Sequence, residues 1–202
     1  MKISLQLLDE MKSAPYHAML PRLIIQANKS LNNMTELVDN ILNASNFNEG
    51  QFKINASEEN IFSVVQEFCE TFITKSAWNI ILTGDKKIIV SADKAKILQV
   101  LSNLVNNAIK YAPNSLTIDI IIEKTVDSAK ISVQDYGMGI PVEKQGPIFN
   151  RYYRIDSTIG HGSSLGLGLY ICSEIIKKYN GDIGVISELE KGSTFWFTLP
   201  VQ

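Results

Sequence analysis

Cysteine and histidine are scarce in this sequence, two of each. Cys69 and Cys172 belong to no CxxC pair and no Cys/His cluster, so nothing has the spacing of a zinc site or a dithiol redox motif. Two isolated thiols read as buried side chains kept in a reducing compartment. His17 and His161 have no acidic neighbour in sequence to set up proton chemistry, and each reads as a structural residue. A surplus of positive charge is missing too. Nineteen Lys and Arg against 21 Asp and Glu give a formal charge of −2, without the basic footprint that nucleic acid usually requires. No uninterrupted apolar run is long enough to span a bilayer. MKISLQLLDEMK lacks an apolar stretch followed by a small-residue cleavage site, which excludes a secretory signal in that segment. There is no internal repeat and no low-complexity tract.

What is present is ordinary globular material: 202 residues with 45% hydrophobic side chains, enough for one domain and a smaller appendage. The appendage is residues 1–47. Ile24, Ala27, Leu31, Met34, Val38 and Ile41 advance by alternating threes and fours, the spacing of a heptad stripe. Leu7, Leu8 and Met11 give a shorter apolar face before it, and prolines at 15 and 21 disfavour one continuous helix through the intervening KSAPYHAMLP. The pattern predicts a helical hairpin with a short first arm, and a stripe longer than that arm can cover.

NFNEGQF, residues 46–52, interrupts the heptads and reads as the joint to a second domain over 52–202. FKINAS is expected as a strand, followed by an amphipathic helix near 60–76 and short strands at NIILTG and KIIVS. A helix over about 93–110 is opened by Asp93 or Ser91. SLTIDIIIE and KISVQD alternate as strands. Residues 141–164 look irregular, a helix follows near 165–180, and DIGVISE and STFWFTLP close the chain as strands joined by LEKG. Strands that are mostly hairpin-connected, mixed with helices, predict an α+β two-layer sandwich. One mixed, mostly antiparallel sheet is covered by helices and preceded by the partial hairpin.

Three stretches carry unusual chemistry. In NLVNNAIKYAP, Asn103, Asn107 and Lys110 fall on one side of the expected helix, flanked by Gln99 and Asn106. Ile97, Leu101, Leu104, Val105 and Ala108 fall on the other. Asparagine is a mediocre helix former, so such a row is costly. Read alone it is a solvated face. Read functionally, it is a line of hard amide oxygens and an ammonium that suits magnesium shared with phosphates. In DYGMGIP, Asp135 ends a strand and Gly137 and Gly139 allow a tight turn. A carboxylate there can accept from an exocyclic amine, although an ordinary strand-to-turn junction has the same pattern. GHGSSLGLGLYI runs from a glycine-rich loop into a helix, a junction whose free N–H groups attract phosphate. It is neither GxxxxGK[ST] nor the glycine fingerprint of a dinucleotide fold.

Taken in order, NLVNNAIKYAP, DYGMGIP, IFNRYYRI and GSSLGLGLYI, followed by GDIGVISELEKGSTFWFTLP, resemble the ATP-binding catalytic domain of two-component sensor histidine kinases. That domain belongs to the wider GHKL group with type II topoisomerases, Hsp90 chaperones and MutL. The resemblance covers about 52–202, and 1–47 resembles part of the dimerisation and phosphotransfer hairpin. It implies ATP and Mg2+ as cofactors, with Asn103 and Asn107 on the metal and triphosphate. Lys110 would reach the phosphates and Tyr111 would lie against the nucleotide. Asp135 would read the adenine amine, in a pocket shaped by Gly137, Gly139 and the adjoining Ile140. Phe149 would pack a mobile lid over 150–164, with Arg151 and Arg154 at basic positions near the phosphates. Ser164, Leu165, Gly166, Leu167 and Gly168 would form the second glycine box. Asn103, Lys110 and Arg151 would be the residues closest to catalysis.

The resemblance also implies an activity. The γ-phosphoryl of ATP passes to a histidine, then to the receiver domain of a response regulator, in a cytoplasmic phosphorelay whose full-length protein can be membrane-anchored. Where hydrolytic relatives carry a glutamate base, this chain carries Asn103, and an amide cannot take a proton from water. Two departures stand out. Ser164 occupies a position where a further glycine is common. The HExxxP acceptor segment is absent, since Ala18 and Met19 follow His17. MKISLQLLDEM resembles the stretch just after that segment, so the expectation is a chain that starts downstream of its acceptor and needs the histidine of a complete kinase chain. It would bind ATP without phosphorylating itself, with a homodimer through the hairpin as a further partner. Two other classes fit the same fold: an anti-sigma-type serine kinase or switch, against which the heptad stripe counts, and a GHKL ATP hydrolase, against which Asn103 counts.

Overall fold

The computed structural model describes residues 20–48, 54–73, 78–155 and 165–201. Helix α1 runs Leu20–Asn48, with Pro21 in its first turn, where a missing N–H costs nothing. It continues into the NFN of the expected joint. The short arm expected before it, His17 and the joint itself from residue 49 to 53 lie outside the described residues.

Strand β1 (Ser57–Asn60) leads directly into α2 (Ile61–Ile73). The expected FKINAS strand is displaced: residues 54–56 have no regular structure, and pairing begins where Ser57 meets Ala92. Then come β2 (Asn79–Gly84), β3 (Ile89–Ala92) and α3 (Lys94–Tyr111). Strands β4 (Thr117–Lys124) and β5 (Ser128–Asp135) form a hairpin. The stretch expected to be irregular contains a single turn of helix, α4 (Val142–Gln145), and a 3-10 turn at Pro147–Phe149. Helix α5 spans Gly168–Lys178, and β6 (Ile183–Glu188) and β7 (Gly192–Pro200) close the fold.

The main sheet has five strands in the order β2-β4-β5-β7-β6, parallel only between β2 and β4. β1 and β3 make a separate antiparallel pair. Alternation decides which face is inside. Ile118, Ile120 and Ile122 of β4, Ala129, Ile131 and Val133 of β5, and Phe195, Phe197 and Leu199 of β7 all point to the helix layer and are buried. Against them pack Ile61 and Val65 of α2, Leu101, Leu104 and Val105 of α3, and Ile171, Ile175 and Ile176 of α5. This is the expected two-layer α+β sandwich, its sheet mixed but mostly antiparallel.

Cys69 and Cys172 are both buried and free, as expected, and burial pushes their thiols up to about 11 and about 12. Helix α1 packs against α5, with Leu23 buried at only 5% exposure. Its heptad residues Ile24, Leu31, Met34 and Val38 are exposed. No helix among the described residues is long and apolar enough to cross a membrane.

Helix α3 is anchored at its start. Asp93 caps it by accepting from the N–H of Ala95 at 3.0 Å and of Lys96 at 3.3 Å. The same carboxylate accepts from the N–H of Asn55 at 3.1 Å, and the Asp93 N–H donates to the Tyr179 hydroxyl at the end of α5 at 3.0 Å. Replacing Asp93 by Ala is expected to cost about 1–2 kcal/mol, the upper part of the range for a lost cap, because the Asn55 contact goes with it. Urea denaturation followed by circular dichroism checks this, and an unchanged midpoint would remove Asp93 as the anchor.

Candidate functional site

Three segments meet at one end of the sheet: the second half of α3, the Asp135–Ile140 turn after β5, and the junction that opens α5. Burying Ile97, Val100, Leu101, Leu104, Val105 and Ala108 against the core fixes how α3 is rotated. Asn103, Asn107 and Lys110 consequently stand half-buried, while Asn106 faces solvent. A simple solvated face would expose all four.

The Asn103 amide is oriented on both sides. Its Nδ2 donates to the Gln99 carbonyl at 3.1 Å. Its Oδ1 lies where a side chain on Gly168 would begin, since a Cβ built there would stand 2.8 Å away. Glycine at 168 is therefore what lets α5 start against the amide row. Helix α5 has Leu167 at its N-cap, which supplies no side-chain cap to its first N–H groups among the described residues. Such an uncapped helix start suits an anion. At the far end of the row, the Lys110 ammonium lies over the Tyr111 ring, 4.8 Å from its centre.

The Asp135 turn is wedged between two backbones. A Cβ on Gly137 would sit 2.3 Å from the Tyr111 carbonyl oxygen, and one on Gly139, whose φ is +71°, would sit 2.1 Å from that of Glu188. The two glycines thus admit the end of α3 on one side and the β6–β7 hairpin on the other. The close approach is to protein backbone. Asp135 is 3% exposed. Its Oδ1 accepts from the N–H of Gly137 at 2.9 Å and of Ser193 at 3.3 Å, and its Oδ2 has no hydrogen-bond partner among the described residues. Burial pushes this carboxyl above the ordinary carboxylate range, against the opposing pull of those two N–H groups. One acceptor oxygen of an otherwise buried carboxyl is thereby left for a ligand, as recognition of an amine needs.

Ile140 is buried under the turn, and Leu167 is buried beneath the start of α5. Phe149 is half-buried and meets Phe195 edge-on, with ring centres 6.5 Å apart. Arg151 lies over Tyr152 at 4.9 Å and Tyr170 of α5 at 6.0 Å, beside the first turn of that helix. Tyr152 takes a positive φ of 64°, a strained conformation for an aromatic residue. Its N–H is tied to the Gly166 carbonyl at 3.1 Å. Gly166 itself has φ +68° and no space for a side chain against the backbone of Tyr152 and Tyr153. Arg154 and Leu165 are exposed. Ser164 and the expected lid from 156 to 164 lie outside the described residues.

The sequence did not single out Ser187, Ser193 or Gln145. Ser187 and Ser193 face each other across β6 and β7, and Ser193 faces Asp135 across β7 and β5. Only strand register brings these hydroxyls to the site, and register is not written in any local motif.

The donor set can be compared with the ion it would hold. Among the described residues no three His, Cys, Asp or Glu side chains cluster as a metal site. Neutral oxygens at Asn103 and Asn107 suit a hard cation that takes its remaining ligands from water and phosphate.

The family described as "Histidine kinase-, DNA gyrase B-, and HSP90-like ATPase" matches residues 92–202. The adaptive-response sensory kinase SasA of Synechocystis is 37% identical over 193 residues, covering 91% of this chain and 49% of SasA. The sensor histidine kinase WalK of Bacillus subtilis is 32% identical over 186 residues, covering 89% of this chain and 30% of WalK. The chain thus spans about half the length of the first relative and less of the second. Among solved structures, the histidine kinase ThkA in complex with the response regulator TrrA superposes with a TM-score of 0.72 at 27% identity. That match covers 99% of this chain and 57% of ThkA.

The raised Asp135 carboxyl has a consequence for stability. Between the unfolded aspartate pKa of about 3.9 and its higher folded value, the folded chain holds more protons than the unfolded one. Stability therefore falls as pH rises through that window. Asp135→Asn removes the titration, so its stability relative to the parent chain should increase with pH across the window and level off above it. Urea midpoints at a series of pH values measure this, and a constant difference would contradict a raised carboxyl.

Proposed function

The chain belongs to the histidine kinase-, DNA gyrase B- and HSP90-like ATPase family, as a domain of the sensor histidine kinase type, and from that premise we propose how its residues handle ATP. The adenine enters beside Asp135, whose free Oδ2 accepts from the exocyclic amine. The triphosphate lies along Asn103, Asn107 and Lys110 towards the uncapped start of α5. Arg151, held beside that start by Tyr170, meets the phosphates from the lid side, with Arg154 nearby. Tyr111 flanks the nucleotide, and Phe149 braces the segment that leads into the lid. Asn103 and Asn107 would hold Mg2+, which when bound offsets phosphate charge.

The single observation that carries this reading is the half-buried amide row of α3 meeting the first residue of α5, Gly168, while the turn after the buried Asp135 packs through Gly137 on the end of the same helix. An amide row can position phosphates but cannot activate water. The γ-phosphoryl is therefore passed to a positioned nucleophile. A histidine ring nitrogen attacks the γ-phosphorus, the bond to the bridging oxygen breaks, and ADP leaves. Positioning and charge neutralisation supply the rate. No HExxxP segment occurs in these 202 residues, so the acceptor we infer is a histidine of a complete kinase chain. Onward transfer is to the aspartate of a response regulator.

Residues 1–47 and 52–202 are read as two parts, a partial dimerisation and phosphotransfer hairpin without the acceptor segment, and the catalytic domain. The exposed heptad residues of α1 suit pairing with a second copy. The two free, buried thiols suit a cytoplasmic setting.

Calorimetric titration with ATP, with and without magnesium, tests the site. Asn107→Asp puts a fixed charge among the phosphates and is expected to weaken ATP binding roughly tenfold or more with the fold intact by circular dichroism. Unchanged affinity would take Asn107 out of the site. Incubation with γ-labelled ATP should leave no acid-labile label on this chain, and stoichiometric label would overturn the absent acceptor.

A further inference from the structure

The polar row that crosses three strands beside the proposed adenine pocket is built around Ser187, which is not among the site residues expected from the sequence. Asp135, Ser193 and Ser187 are register partners on β5, β7 and β6. The Ser187 hydroxyl has three neighbours: the Ile140 N–H at 2.8 Å, the Gly192 carbonyl at 2.8 Å and the Ser193 hydroxyl at 2.9 Å.

Donor and acceptor counting gives the direction of every bond. The Ile140 N–H can only donate and the Gly192 carbonyl can only accept. Ser187 thus receives from Ile140 and gives its single proton to Gly192. The Ser193 hydroxyl must then donate its own proton to Ser187, which leaves Ser193 Oγ only lone pairs for anything else. Its neighbour across the ladder, Asp135, offers acceptors as well. Around Ser187 the hairpin grips the turn a second and third time. Gln145 Nε2 donates to both the Ile140 and the Ser187 carbonyls at 2.8 Å, and the Glu190 N–H donates to the Met138 carbonyl at 2.8 Å.

We propose that Ser187 is a positioning residue for base recognition: it fixes the Asp135–Ile140 turn and turns the Ser193 hydroxyl into an acceptor, so that this wall favours a base bearing an amine. The inference rests on the reading of Asp135 as the adenine contact. Adenine presents an amino donor at the position where guanine presents a carbonyl acceptor, and a wall of acceptors repels the latter.

Titration calorimetry of this chain with ATP and with GTP tests the idea on the parent chain, Ser187→Ala, Ser187→Thr, Gln145→Ala and Asp135→Asn. Loss of the hydroxyl strands the Ile140 N–H and frees the Ser193 proton. Ser187→Ala should therefore bind ATP about tenfold more weakly, with a reduced ATP-to-GTP preference, while Ser187→Thr restores both. A folded Ser187→Ala that keeps its ATP affinity and its preference overturns the proposal. If that variant does not fold, Gln145→Ala carries the test, since it loosens the same turn. An unchanged preference there overturns the proposal equally. Loss of ATP binding in Asp135→Asn beside an unaltered Ser187→Ala would reject Ser187 while keeping the site. A parent chain that binds no ATP would reject the site and this inference together.

Discussion

Everything at the site depends on how closely the Asp135–Ile140 turn can approach two other backbones. Gly137 lies against the last carbonyl of α3 and Gly139 against the last carbonyl of β6, at separations that leave no room for even a methyl group. A side chain at either position would push the turn away from α3 or from the hairpin. Asp135 would then lose its place relative to Asn107 and Lys110, and the groove would open to water. The two glycines are commonly read as freedom for a ligand to approach. In this chain they first let the protein approach itself.

The second constraint is the rotation of α3. Six side chains buried on one face hold the helix so that Asn103 and Asn107 stand half-buried rather than fully in solvent. Asp93, Asn55 and Tyr179 fix the helix at its start. Gly168 admits the Asn103 amide at the point where α5 begins. In the proposed function, an array of neutral oxygens beside an uncapped helix start and a lysine favours a polyanion with its counter-ion, and offers water no base. On that reading one side chain, Asn103, would separate phosphoryl transfer from hydrolysis.

Much of this was legible in the residues. The 3.6-residue period of α3 and the alternation of β4, β5 and β7 carry strong patterns because each element buries one face in a single core. The boxes around Asn103, Asp135 and Gly168 are local in sequence, so they could be picked out as candidate site segments before the fold was known. β1 was misplaced because FKINAS has the apolar alternation of a strand, whereas SEEN gains its strand geometry only by pairing with β3. The four residues of α4 are too few for periodicity to register. Ser187, Gln145 and Ser193 were invisible for another reason. Their roles come from register across three strands and from a turn contacting a hairpin some fifty residues later, and no local pattern encodes either.

The central claim is that the amide row, the buried carboxylate and the opening of α5 enclose one nucleotide. A crystal structure of this chain with a non-hydrolysable ATP analogue and magnesium tests it most directly. The account predicts the adenine amine within hydrogen-bonding distance of Asp135 Oδ2 and the triphosphate between Asn107 and the first turn of α5. An analogue bound elsewhere, or a groove left vacant at saturating ligand, would contradict it.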